Sequence, residues 1–403
     1  MADNAALRPR ADAVGAVLAG RSRALECRRT ERVPLAAVGG RVAAEPVVAP
    51  ADRPPRSHAT MDGYAVDADD PYPLEVVDNE VFPEDDPPEL PPGGAVPVAT
   101  GAPVPDGATA VLKREDVTVD DGRLSGPDVE AGTNVSERGS NVAAGETLVQ
   151  AGERLGAKDA VLLADLGRDP VAVFAPFAVG VLATGTEIHE GRSIDLDSAM
   201  LAGLVRGWGH EATIEGTVPD DADRVRERVA ELAETHDVVV TSGGTSVGHK
   251  DYAVSALDAL GEVGFHGVRV RPGKPVAMAE LPDHGATAFA IPGKPVGAYV
   301  AAVTVMRPFF TGEASLATEP ATLARSIGVE PAGFEYVVPV AVDDGQAMPL
   351  GHVDSPLAIY EETFDASVVS SSSRATRADG FVVTEEPVDA GETVGVVPAG
   401  VLE

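Results

Sequence analysis

Apolar side chains recur at helical spacing across residues 11–26, and the run ends in basic and turn residues, which predicts a helix. From about residue 51 to 132 that period is lost. Pro, Gly and Asp punctuate short β-like runs such as GAVPVAT and ATAVLKRE, and FPEDDPPELPPGG reads as an acidic, proline-rich loop. A mostly β module is expected there. From about residue 177 strands and helices alternate. AVGVLAT and DVVVT read as buried strands, the latter of parallel type. DSAMLAGLVRGWG predicts a helix capped by Asp197 or Ser198 and closed by Gly209. DDADRVRERVAELAETH predicts another, with Val225, Val229 and Leu232 on one face; DYAVSALDALG and PVGAYVAAVTVMRPFF predict two more. This alternation predicts an open, mostly parallel α/β sheet with helices on both faces. From residue 319 short strands return between Gly, Asp and Pro, as in a small β barrel or sandwich.

A chain of 403 residues exceeds one ordinary core, so several domains are expected. No apolar run reaches the roughly 18 residues that span a bilayer. The strongest, 296–306, is interrupted by Thr304 and reads as a buried helix. The first residues lack the pattern of a secretory signal. The single cysteine, Cys27, excludes an internal disulfide and a cysteine-based metal cluster. A cytoplasmic location is expected. The charge is the unusual bulk feature: 64 acidic residues against 31 basic give −33. Such a chain repels itself and nucleic acid in dilute buffer. In molar salt the Debye length falls to about 3 Å and the repulsion is screened. A halophile's protein is the expectation, with neither nucleic acid nor membrane as partner.

Ligands of open parallel sheets bind beyond the carboxyl ends of the strands. Four loops fall there. ATGTEIHEG offers Glu187. TSGGTSVGHKDY offers an anion nest from Ser242, Gly243, Gly244, Thr245 and Ser246, with Asp251 at the start of the next helix. The other two, RPGKP and IPGKP, share Pro-Gly-Lys-Pro, and they hold Lys274 and Lys294 although the chain has only five lysines. Proline fixes φ and glycine permits a tight turn, so such a loop aims its lysine. A lysine so aimed is a point charge for phosphate. Carboxylates nearby suit Mg²⁺, which takes one or two of them plus phosphate oxygens. Each loop alone also reads as an ordinary turn with a solvated lysine, Glu187 as a surface carboxylate, and Asp220 as a helix cap. Their co-occurrence at four strand ends favours a site.

Together these residues resemble the molybdopterin molybdenumtransferase family, which includes MoeA and the gephyrin E domain. ATMDGYAV resembles its Met-Asp-Gly-Tyr-Ala signature, and TGAPVPDGATAV its Thr-Gly-Ala-Pro-Val-Pro stretch. TSGGTSVGHKDY resembles its Ser-Gly-Gly loop, and the two lysine loops fall where the family has Lys-Pro-Gly-Lys-Pro and Leu-Pro-Gly-Asn-Pro. The resemblance implies four parts: a discontinuous elongated domain (1–50 and 133–176), a β-rich inserted domain (51–132), an α/β molybdopterin-binding domain (177–318) and a C-terminal β domain (319–403). It implies a homodimer whose subunits share sites, with other cofactor-biosynthesis proteins and acceptor molybdoenzymes as partners. The implied reaction inserts molybdate or tungstate into adenylylated molybdopterin (molybdopterin-AMP), with Mg²⁺, and releases AMP.

By the same resemblance Asp62, Thr100, Glu187 and Asp251 carry activity, with Glu187 and Asp251 also on the metal. Asp220, Arg271, Lys274 and the Ser242–Ser246 loop hold the pterin nucleotide, and Pro292, Lys294 and Pro295 shape the oxyanion pocket. This chain departs from the family at Asn141, Thr186 and Gly267, where functional groups are lost. It departs also at Arg271, in place of Lys, and at Lys294, where a charge is gained. A non-catalytic pterin-binding scaffold and, more weakly, a molybdopterin adenylyltransferase are the alternatives.

Overall fold

The computed structural model describes residues 7–245 and 251–403. The chain forms two compact units: one of 1–44, 152–159 and 170–403, the other of 45–151 and 160–169.

The larger unit is built on a six-stranded sheet, in the order Glu211–Val218, Ala178–Thr184, Val238–Ser242, Ala286–Ile291, Ala277–Leu281, Glu262–His266. The first four strands are parallel, and the last two run antiparallel to their neighbours, at an edge that residue pattern alone did not predict. Val238–Ser242 and Ala286–Ile291 are buried along their whole length, as central parallel strands require. The predicted helices form at Ser198–Gly207, Ala222–Ala233 and Tyr252–Leu260. The predicted fourth helix is a rod. It runs from Pro295–Ala301 through a π segment, Ala302–Met306, into Arg307–Thr311, and every residue from Val296 to Thr311 is buried. A helix apolar on all sides belongs in a core. The π segment precedes Pro308, which cannot donate an N–H to the turn before it. Thr304 satisfies its hydroxyl within the rod by donating to the Val300 carbonyl at 2.7 Å.

The N-terminal helix, Arg10–Glu26, adds Ala13, Val17 and Leu25 to the same core. At the other end of the chain Glu335–Asp343, Gln346–Pro349, Glu319–Leu323, Thr393–Pro398 and Gly380–Thr384 close into a five-stranded barrel, the first and last strands pairing. Val270–Arg271 joins this barrel in parallel with Glu335 and Tyr336, so the first lysine loop is tied to it.

The smaller unit holds a second six-stranded sheet, in the order Ala110–Lys113, Gly63–Val66, Gly94–Val98, Leu74–Val76, Arg123–Ser125, Thr118–Asp120. Its strands are short, and Pro, Gly and Asp flank most of them. Among the described residues no helix is long and apolar enough to cross a membrane.

Candidate functional site

A cavity of about 470 Å³ opens at the carboxyl ends of the parallel strands. Strand Ala178–Thr184 delivers Thr184 and Gly185, and the one-turn helix Thr186–His189 that follows delivers Glu187. Glu211–Val218 leads to Asp220. Val238–Ser242 leads to Ser242, Gly243, Gly244 and Thr245, and Ala286–Ile291 leads to Pro292, Lys294 and Pro295. Nine of the sequence-predicted residues thus line one cavity. Arg271 and Lys274 line a second, of about 330 Å³, with Ser367 and Ser370 from the last domain. Pro275, Pro292 and Lys294 border both cavities. Ser246 lies outside the described residues.

Three carboxylates behave differently from expectation. Asp220 does not cap its helix: Asp221 does, accepting from the Arg224 N–H at 3.0 Å. Asp220 is instead held toward the cavity by Thr186. Its N–H donates to Thr186 Oγ1 at 3.0 Å, and its Oδ2 accepts from the Thr186 N–H at 3.4 Å. Nor does Asp197 cap Ser198–Gly207 with its side chain, although it occupies the N-cap position. Asp195 Oδ1 accepts from the N–H groups of Asp197 and Ser198, both at 3.0 Å. That releases the Asp197 carboxylate inward, where Oδ2 accepts from Ser242 Oγ at 3.0 Å. Burial pushes the Asp197 carboxyl above the usual carboxylate range, against the lowering effect of the Ser242 hydroxyl. Asp251 is not among the residues that line either cavity. It caps Tyr252–Leu260 by accepting from the Val254 N–H at 3.3 Å, and it faces His266 Nε2 at 3.3 Å. Burial raises its pKa, opposed by His266 and the Val254 N–H.

The anion nest is also partly committed. Ser242 gives its hydroxyl to Asp197, and Gly243 gives its N–H to the Ile291 carbonyl at 2.9 Å. Gly243 sits at φ +92°, and a Cβ there would lie 2.7 Å from the Thr184 carbonyl oxygen, so the loop requires glycine. Lys294 donates its ammonium to the Ser367 carbonyl at 3.2 Å.

Asp62 and Thr100 belong to the smaller unit. There the fold brings the two together: Asp62 Oδ1 accepts from both the N–H and the hydroxyl of Thr100, each at 2.7 Å. These bonds hold the exposed Asp62 carboxyl below the usual range, the hydroxyl contributing most. Among the described residues no group of three or more His, Cys, Asp or Glu side chains forms a metal cage. The oxygen donors that do share the main cavity, Glu187 and Asp220 among them, suit a hard cation that takes only one or two carboxylates. Residue patterns missed Asp195 and Asp197 as cavity residues, because an acid beside a helix start reads first as its cap.

Residues 8–167 match the MoeA N-terminal region (domain I and II), and 180–312 match the probable molybdopterin binding domain. The chain is 31% identical over 299 residues to the molybdopterin molybdenumtransferase of Synechococcus elongatus, covering 69% of this chain and 74% of that one. It is 30% identical over 292 residues to that of Haemophilus influenzae, covering 70% and 72%. Among solved structures, the molybdopterin biosynthesis MoeA protein of Pyrococcus horikoshii superposes with a TM-score of 0.74 at 25% identity, over 97% of this chain and 100% of that one.

Proposed function

The chain belongs to the molybdopterin molybdenumtransferase family, enzymes of molybdenum cofactor biosynthesis, and from that premise we propose that it inserts molybdate or tungstate into molybdopterin-AMP and releases AMP. The observation that carries this reading is the pair of adjoining cavities. One presents carboxylates and the Ser242–Thr245 loop, the other presents Arg271 and Lys274, and Lys294 stands between them. A nucleotide-linked pterin suits the first. Its phosphate suits the second, which Arg271 and Lys274 line, and a tetrahedral oxyanion suits the border between the two, where Lys294 stands.

Glu187 and Asp220 would hold Mg²⁺, and Asp251, which caps Tyr252–Leu260 and faces His266, would fix the start of that helix. Magnesium, when bound, supplies charge neutralisation on the phosphoanhydride. Lys274 and Lys294 orient the two anions toward each other and offset their repulsion. The family resemblance supports a homodimer in which Asp62 and Thr100 of one subunit complete the site of its partner. It also supports the four-part division of the chain, a cytoplasmic setting, and transfer of the product to acceptor molybdoenzymes. The acidic composition supports work in high salt.

The deciding experiment supplies molybdopterin-AMP and molybdate in molar KCl and follows cofactor and AMP. Both products are expected to form together. Tight binding without AMP release would make the chain a scaffold, and ATP consumption with free molybdopterin would make it an adenylyltransferase.

A further inference from the structure

The segment Ile194–Asp197 borders the main cavity, and the reaction just proposed assigns it no role. Its residues alternate in character. Ile194 is 81% exposed and Leu196 55% exposed, which sets two large aliphatic side chains on the rim of one cavity. Asp197, between them and the helix, is only 5% exposed. Its Oδ2 is taken by the Ser242 hydroxyl. Its Oδ1 is buried and has no hydrogen-bond partner among the described residues. A buried carboxylate oxygen left without a donor is costly, so in native proteins such atoms are rare and call for an explanation.

We propose that Ile194–Asp197 is the heterocycle subsite of the cavity, in which Ile194 and Leu196 cover a pterin ring and Asp197 Oδ1 accepts a hydrogen bond from the ring's 2-amino group. The inference rests on the molybdopterin reading above and gives that reading a specificity element. A pterin is flat and apolar on its faces, which suits two aliphatic side chains at a cavity rim. Its edge carries an amino donor, which suits an acceptor-only carboxylate. The local sequence makes the arrangement feasible. Asp195 supplies the helix cap, so Asp197 is spared that task and turns inward. Ser242, by donating to Oδ2, fixes the rotation of the carboxylate.

The test uses the full chain and two pteridines, followed by their fluorescence: pterin, and lumazine, which carries an oxygen acceptor where pterin carries the 2-amino group. The wild-type protein should prefer pterin by roughly tenfold to a hundredfold, the usual effect of one charge-assisted hydrogen bond. Asp197→Asn keeps the shape and an acceptor for Ser242; it should lose most of that preference. The double variant Ile194→Ser/Leu196→Ser should weaken both pteridines alike and leave their ratio unchanged. The wild-type comparison needs no variant, so it stands even if Asp197→Asn folds poorly. Equal binding of the two pteridines by wild type, or unchanged pterin binding by a folded Asp197→Asn, overturns the subsite. So does a protein that ignores both pteridines yet binds molybdopterin-AMP. Failure to bind molybdopterin-AMP overturns the functional reading itself.

Discussion

The two Pro-Gly-Lys-Pro loops have one sequence and two structures. The first, 272–275, follows a short strand tied to the barrel, and the Arg271 guanidinium before it lies over the Phe334 ring at 4.3 Å. The Lys274 carbonyl accepts from the N–H groups of Val268 and Val276, at 2.9 and 3.0 Å, which folds the chain back on itself. The second, 292–295, leaves a central strand of the α/β sheet and becomes the start of the buried rod. Lys294 is its N-cap residue, and the Lys294 carbonyl accepts from the Ala298 N–H at 2.7 Å. The glycines differ most. Gly273 is needed for its backbone, at φ +108°. Gly293 is needed for its lack of a side chain, since a Cβ there would lie 3.0 Å from the Gly243 Cα. A short motif therefore does not fix a conformation; the elements it joins do.

Glycine substitution should separate the loops most sharply. Gly273→Ala forces an alanine to positive φ and puts its Cβ 3.3 Å from the Ala301 nitrogen and the Gly297 oxygen. We expect a loss of about 1–3 kcal/mol in denaturant unfolding of the larger unit. Gly293→Ala asks only for a few tenths of an ångström between two site loops. It should cost less stability and should show mainly as weaker ligand binding. If Gly293→Ala proves the more destabilising, the distinction between a conformational and a steric glycine is wrong.

The lysines give the next test. Lys274 is half-buried in the second cavity, whereas Lys294 is exposed and borders both. Lys274→Ala should weaken molybdopterin-AMP binding by roughly tenfold to a hundredfold. Lys294→Asn should leave that binding nearly intact and shift the molybdate or tungstate concentration needed for turnover. An unchanged oxyanion dependence would reduce Lys294 to a tether, holding the Ser367 carbonyl and nothing else.

Much of this arrangement was legible in the residues. Short β-branched runs such as 238–240 favour buried strand over helix, and the helix at 222–233 announces its face through Val225, Val229 and Leu232. Loops at strand ends then bring Glu187, Ser242 and Lys294 to one cavity without any further information. What pattern could not resolve was the choice between adjacent acids. Asp195 against Asp197, and Asp220 against Asp221, differ by a turn of backbone, and hydrophobic periodicity carries no signal for it. The hairpin of Ala277–Leu281 with Ala286–Ile291 left another signal unread: the short connection between its strands, residues 282–285, cannot make the crossover that parallel pairing needs. The rod of 295–311 was legible as buried, but its π segment depends on where Pro308 falls within it.

The smallest expected effect concerns salt. With a net charge of −33, the protein as a whole repels incoming anions at long range, and an exposed lysine works partly by offsetting that field. The Debye length falls from about 10 Å at about 0.1 M salt to about 3 Å at about 1 M, so long-range help of this kind fades as salt rises. A half-buried lysine in direct contact with its anion is screened much less. The effect of Lys294→Asn on oxyanion dependence should therefore shrink a few-fold between about 0.1 M and about 1 M KCl, while that of Lys274→Ala on ligand affinity should change less. Titrating both variants beside wild type at each salt concentration measures this directly. Equal salt slopes for the two would mean that the loops, for all their difference in backbone and burial, present their charges to the ligand in the same way.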